Sequence, residues 1–429
     1  MDINATPVLE AYKKEADSYS SLWDSDELGE QSASRLKYAG VRKRFPQAPS
    51  DAIAMWIADM NIRPPEEVMA LLQQHIVSEY GYQDCDIGQA VADWHSQQNV
   101  QLPSQITSAV LPEHVVDAVS TIGAIDTVLR TFCSKGDKVM HLSPGYPPLQ
   151  DIIESNELQP ISIELPLSEN KAANSSHIET IDTALLDTDA KAFLLCHPNN
   201  PTGTVLDSEN QAEIIRFCER HNILLIVDEV HSDFGFLPHV APSCVPLFGA
   251  ARGLLCSPIL IHINSASKTF NLASVPGASY AIVSDEAKRE ALQRALNRRH
   301  LYASHLSKLA LIFAYKASSK WLEQVLAAIE FNRNFVNAFF YHHKLKATYT
   351  MGAAGYFLWL SISSITPQFK GNDTSSTGFT RTVGTFNDCV KNGVIGSDGS
   401  AFGSPDFIRL NLACSPETIE RALNRICFC

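Results

Sequence analysis

The chain has 429 residues, 45% hydrophobic and 19% charged, which suits a soluble globular protein of two or three domains with ample apolar material for a core. Lys and Arg total 34 against 47 Asp and Glu, a net charge of −13 with no basic run, so the chain is a poor candidate for a nucleic-acid partner. No apolar stretch reaches the roughly 20 residues needed to cross a bilayer, and the 10 cysteines include no C-x-x-C pair, so the expectation is free, buried thiols in a reducing cytoplasm, off the membrane and without a metal site.

Residues 1–22 mix acids, lysines and polar residues and lack the apolar core of a signal peptide. Residues 1–50 read as polar and irregular, an arm anchored by Trp23. From Pro64 the pattern turns helical: prolines and Glu66-Glu67 in the first turn, then Val68, Leu71, Leu72 and Ile76 at helical spacing. Thr121-Ile122-Gly123-Ala124-Ile125 precedes a helical stretch over 126–133, and a glycine at a helix start exposes N–H groups that can cradle phosphate. Four apolar runs follow among helical stretches: 138–142, 192–196, 223–227 and 260–264. Strands alternating with helices predict an α/β fold, a mostly parallel sheet covered on both faces. After Asp285 the pattern gives helices over 285–300, 304–315 and 320–345, a strand at 356–360, a polar loop over 366–378, a strand at 407–411 and a last helix capped by Ser415 with Pro416 at its first position. This is the pattern of a second, smaller α+β domain.

Open α/β sheets bind ligands at the carboxyl ends of their strands, so the residues just past each run are read together. Tyr146, in Ser143-Pro144-Gly145-Tyr146-Pro147-Pro148, offers a rigid flat ring; its plainer role is packing a loop. Asn200, in His197-Pro198-Asn199-Asn200-Pro201-Thr202-Gly203, can offer its amide to a ligand oxygen, or simply form a turn. Asp228 should end a central strand, where a buried carboxylate needs a cation such as a protonated pyridine nitrogen, and His231 follows three residues on. Lys268, in Ser265-Ala266-Ser267-Lys268-Thr269-Phe270-Asn271, lies past a buried strand, where a lysine can have a depressed pKa and capture a carbonyl; serines beside it can bind phosphate. Arg409, between Ile408 and Leu410, suits a bidentate carboxylate or an internal ion pair.

These are the parts of a pyridoxal 5'-phosphate (PLP) site. From Met55 to Ile426 the sequence resembles the fold-type I PLP enzymes of the class I/II aminotransferase family, through Asn200-Pro201-Thr202-Gly203, Asp228, Ser265-Ala266-Ser267-Lys268 and Arg409 in the family's order. Met55-Trp56-Ile57-Ala58-Asp59-Met60, Gly81-Tyr82, Asp228-Glu229-Val230-His231-Ser232-Asp233 and Arg409-Leu410-Asn411-Leu412-Ala413-Cys414 look like its MalY/PatB branch of carbon–sulfur β-lyases, which includes cystathionine β-lyases. The resemblance implies an arm and part of the small domain in 1–57, a large PLP-binding domain in 58–298 and a small C-terminal domain in 299–429. It makes Lys268 the cofactor lysine, Asp228 the partner of the ring nitrogen and Tyr146 the stacking ring. Asn200 and His231 would meet the ring hydroxyl, with Asn200 also near the substrate. Gly123, Ala124 and Ser265 would bind the phosphate, together with Tyr82 across the interface of a homodimer with shared sites. Arg409 would grip the α-carboxylate of a small amino-acid substrate.

The implied activity is β-elimination from an S-substituted L-cysteine, with cystathionine or a cysteine S-conjugate of sulfur-containing secondary metabolism as substrate and Lys268, Tyr146 and Arg409 as catalytic residues. An aminotransferase uses the same residues, though that group usually has Tyr where His231 stands; a regulatory or binding protein on this fold is the other alternative. Four features depart from the pattern: Asn61-Ile62 replaces the branch's Asp-Phe, Pro276 stands where many aminotransferases have a phosphate-binding Arg, and His197 and the loop from Ser364 to Ser376 are atypical.

Overall fold

The computed structural model describes residues 12, 14–24, 34–78, 81–98, 109–165, 178–237, 241–275, 277–367 and 384–428. The strands of its two main sheets are numbered in chain order. Seven form a central sheet: β1 (Val115–Ala118), β2 (Lys138–Ser143), β3 (Gln159–Glu164), β4 (Ala192–Cys196), β5 (Leu224–Asp228), β6 (Leu260–Ser265) and β7 (Ser279–Ile282), in spatial order β1-β7-β6-β5-β4-β2-β3. β7 runs antiparallel to both neighbours, and every other pair is parallel. The expected mostly parallel sheet is therefore present, and its apolar runs are strands because both faces are covered. Leu194, Ile226 and Ile261 pack one face against α4 (Thr121–Phe132), α5 (Pro147–Ser155) and α8 (Glu286–Arg298) through Val128, Ile153 and Leu292. Phe193, Leu225 and Val227, one residue out of step, pack the other face against Ile214 and Cys218 of α6 (Ser208–His221).

The second unit holds an antiparallel sheet in the order β8 (Tyr349–Thr350), β9 (Phe357–Ser361), β11 (Phe407–Asn411), β10 (Ser397–Asp398). The long helix α10 (Ser319–His342) and the last helix α12 (Pro416–Cys427) share a core with it, built on Phe335, Phe339, Leu358, Leu410 and Leu423. Ser415 Oγ accepts the Thr418 N–H, the cap its sequence announces. The remaining helices are α1 (Leu36–Arg44), α2 (Glu66–Ser78), α3 (Gly88–Gln98), α7 (Ala266–Thr269), α9 (His305–Ala317) and α11 (Phe386–Lys391). No described helix is long and apolar enough to cross a membrane.

Three expectations are corrected. The first 50 residues are not irregular throughout, because α1 forms over Leu36–Arg44. It is held by contact rather than by an apolar stripe: Lys37, Tyr38 and Val41 are buried, the Lys37 carbonyl accepts Trp56 Nε1 at 2.8 Å, and a Cβ at Gly40 would stand 2.8 Å from the Trp56 ring. The expected loop over 366–378 begins as a short ladder, Thr366–Pro367 against Leu345–Lys346, and 368–378 lies outside the described residues. The described thiols are free, but Cys85 and Cys133 are half-buried and Cys256 is exposed, since the strands and helices put only some of the scattered positions in a core.

Candidate active site

The register of the parallel strands sets the site. Cys196 at the end of β4 lies opposite Asp228 at the end of β5, and Asp228 lies opposite Ile263 of β6, so the carboxyl ends open on one side. The polar residues after each strand meet there, as the sheet rule requires.

β6 ends at Ser265 and the chain turns at once into α7. Ser265 Oγ accepts from Ser267 N at 3.1 Å and from Ser279 Oγ at 3.0 Å, and donates to Ala278 O at 2.7 Å. The side chain expected to bind phosphate is thus spent on shaping the turn. That turn lifts Lys268, half-buried, across the site, where its Nζ donates to the carbonyl of Ala58 at 2.9 Å. Burial lowers the Lys268 pKa; Asp59 opposes this, Arg409 adds to it and Asp228 opposes it. An amine held this way is easier to deprotonate and to use as a nucleophile or base.

Asp228 is buried, and among the described residues its carboxyl accepts one hydrogen bond, a 3.3 Å contact from the Val230 N–H. Burial pushes its pKa up to about 7, with Glu229 adding and the Val230 bond and Lys268 opposing. A carboxyl in this state fits a cation, and it forms no ion pair among the described residues. His231 is buried beside it, its ring edge-on to Tyr356 and Phe357 at 5.7 Å and 5.3 Å. Its Nδ1 has no partner among the described residues, and burial, aided by Lys268 and Arg409, takes its pKa down to about 3, so it is neutral.

Arg409, on β11, sits at the far end. Its Nη1 donates to Asn200 Oδ1 at 2.7 Å, and its Nη2 to Trp56 O at 2.9 Å and Ser397 Oγ at 3.0 Å. The guanidinium lies 4.4 Å from the Phe357 ring centre and 5.1 Å from that of Phe402. Its Nε has no partner and it pairs with no carboxylate among the described residues, so the internal ion pair is not what holds it. Burial brings its pKa down to about 10, and it stays charged. Asn200 is fixed by an Asx turn in which Asn199 Oδ1 accepts the Thr202 hydroxyl at 2.7 Å. Gly203 closes that turn at φ +70°, where a Cβ would meet Ala354 O at 2.3 Å, so the turn packs directly on the chain leading into β9.

The remaining expected residues are placed less simply. Tyr146 precedes α5 and is mostly buried; burial, then Asp228, raise its pKa, while Arg409 lowers it. Helix α4 starts at Thr121, capped by Ser120, two residues before the glycine. Gly123 N–H is taken by Ser120 Oγ at 2.9 Å and Ala124 N–H by Ser120 O at 3.0 Å; Thr121 and Ile122 carry the unpartnered amides among the described residues. Tyr82 is fully exposed and is not brought to the site within one chain. His197 is a packing residue whose Nε2 accepts the Leu206 N–H at 3.0 Å. Pro276 lies outside the described residues.

Sequence reasoning missed three contributors: Ser397, the carbonyls of Trp56 and Ala58, and Tyr356, whose buried hydroxyl has no partner among the described residues. Of these, Trp56-Ile57-Ala58 and Tyr356, the first residue of the expected strand at 356–360, stood in noticed strings, without a role in the site.

A lysine poised for a carbonyl, a buried carboxyl lacking a cation and an arginine lacking a carboxylate, at the strand ends of an α/β sheet, define a class of enzyme that handles amino acids through a ring-bearing aldehyde. The chain belongs to the aminotransferase class I and II family, whose model matches residues 57–426. It is similar to cystathionine beta-lyase PatB of Bacillus subtilis, 27% identical over 383 residues that cover 88% of this chain and 92% of that protein. It is also similar to protein MalY of Escherichia coli, 27% identical over 308 residues, 69% of this chain and 72% of that one. Among solved structures, cystalysin from Treponema denticola, which contains a pyridoxal 5'-phosphate cofactor, matches with a TM-score of 0.76 at 21% identity over 94% of this chain and 97% of that one. That likeness bears out the fold class, and the relatives bear out the resemblance to the branch.

Proposed function

We propose that the chain holds PLP on Lys268 and is a carbon–sulfur β-lyase that converts an S-substituted L-cysteine to a thiol, pyruvate and ammonia. The observation that carries this reading is a buried Asp228 carboxyl met only by the Val230 N–H and a His231 Nδ1 without a partner among the described residues, at one end of a site whose other end holds a charged Arg409 that pairs with no carboxylate among them. These residues fit the cofactor: Asp228 would hold a proton on the ring nitrogen and His231 would meet the ring hydroxyl. When bound, PLP supplies an electron-withdrawing ring that takes up the charge left by a departing Cα proton. Arg409 and Asn200 fix the α-carboxylate, which orients the Cα–H bond. Lys268 takes that proton as general base, helped by the burial that lowers its pKa. The Cβ–S bond breaks with its electron pair on sulfur, the thiolate gains a proton, and one water hydrolyses the remaining fragment to pyruvate and ammonia.

His231, in place of the tyrosine usual in aminotransferases, and the similarity to a cystathionine beta-lyase support elimination over amino transfer. The Asn61-Ile62 departure supports a cysteine S-conjugate of specialised, sulfur-containing secondary metabolism over cystathionine itself. The exposed Tyr82 would complete the phosphate site of a second copy, in a homodimer with shared sites. The test is incubation with an S-alkyl cysteine and no keto acid. Thiol and pyruvate in equal amounts over many turnovers are expected; amino transfer to the cofactor without thiol release means an aminotransferase.

A further inference from the structure

The segment 56–62 crosses the site, and its backbone is held at every residue. Trp56 O accepts from Ser397 and Arg409, Ile57 O from Asn411 Nδ2 at 2.8 Å, Ala58 O from Lys268 and Asp59 O from Asn411 Nδ2 at 2.9 Å. Met60 O accepts from Asn271 and Arg35 at 3.0 Å each, Asn61 O from Asp24 N at 2.8 Å and Ile62 O from Asn271 at 2.6 Å. Lys37, from α1, adds bonds to Asp59 O and Asn61 Oδ1. A strap so fully bonded leaves its side chains little freedom to move relative to the lysine it touches.

The strap carries one carboxylate, Asp59, next to the carbonyl that holds Lys268. Its position is fixed from outside by a line of alternating charges. Arg63 Nε pairs with Asp24 at 2.8 Å, Asp24 stands 3.9 Å from Arg35, and Arg35 Nη2 pairs with Asp59 Oδ2 at 3.0 Å. The charged and titratable groups that face Lys268 are Asp59 from the strap, Asp228 from β5, His231 from the turn after it and Arg409 from β11. Of the two carboxylates, Asp59 favours the charged lysine more than Asp228 does.

We propose that Asp59, locked in place by Arg35, is a positioning residue that sets the proton affinity of the Lys268 nitrogen. The inference rests on Lys268 as the cofactor lysine and deepens that reading. Its test is a spectroscopic pH titration of the lysine-bound cofactor in the holoenzyme, which reads the nitrogen directly and not turnover. Asp59→Asn is expected to move the midpoint down by about one pH unit, and Asp59→Glu to restore it. Arg35→Gln is expected to move it up, because the opposing positive charge is gone while Asn411 and Lys37 still hold residue 59. Should Asp59→Asn not fold, Arg35→Gln carries the test alone. An unmoved midpoint in Asp59→Asn, or an unmoved or lowered one in Arg35→Gln, overturns the proposal. Thiol release from an S-alkyl cysteine tests the lyase reading separately, and neither result decides the other.

Discussion

At one end of the site Arg409 spends its N–H groups on Asn200, Trp56 O and Ser397, with rings on two sides; at the other, Asp228 meets only the Val230 amide and His231 Nδ1 meets nothing among the described residues. Both ends bury a group that prefers to be charged. The first compensates it with fixed dipoles, so the geometry exists before any ligand arrives. The second leaves the cost unmet, and a buried charge without a partner is expensive. On the proposed reading the carboxylate end is a prebuilt clamp, whereas the ring end is finished only by its cofactor, which would then contribute to folding stability as well as to chemistry.

Asp228→Asn tests the unfinished end and should have the largest effect, a loss of turnover of at least about a hundredfold. The same variant should be more stable than the parent when both are free of cofactor. Burial pushes the Asp228 carboxyl from an ordinary 3.8 up to about 7, so the folded parent keeps a proton that the unfolded chain releases. The contribution of this carboxyl to parent stability therefore falls as pH rises from about 4 to about 7, by up to roughly 4 kcal/mol, and the variant lacks that contribution. Denaturant melts across that range read it; parallel curves for the two proteins would remove the argument. At the prebuilt end, Arg409→Lys keeps the charge but loses the fork. KM should rise roughly ten- to a hundredfold with a smaller change in kcat, and a loss confined to kcat would mean that the arginine does not bind the ground-state carboxylate. The smallest effect belongs to Ser397→Ala, which removes one of the three supports of the clamp. A KM increase of roughly threefold is expected by steady-state kinetics, and no change would show that Asn200 and Trp56 O suffice.

The same contrast marks what the sequence makes legible. The ring end is built from side chains at the ends of apolar runs: Asp228 after Leu224-Leu225-Ile226-Val227 and Lys268 after Leu260-Ile261-His262-Ile263 stand out because polar residues there have few other reasons to exist. The clamp is built largely from carbonyls, which every residue carries, and from a serine in a string of small residues, 396–400, that resembles any turn. Helix α1 escaped notice because the residues it buries include Lys37 and Gly40, which no apolar pattern marks. In the sequence Gly123 signals a helix start and so a phosphate cradle; in the structure Ser120, a better cap, starts α4 earlier and accepts from the Gly123 amide.

The central claim is that Lys268 is the residue that captures the cofactor, and borohydride reduction of the holoenzyme followed by peptide mapping tests it most directly. The account predicts that the reduced cofactor is found on the peptide containing Lys268, and that Lys268→Ala neither takes up the yellow absorbance of the lysine-bound form nor turns over substrate. A label on a different lysine, or activity that survives in Lys268→Ala, would contradict it.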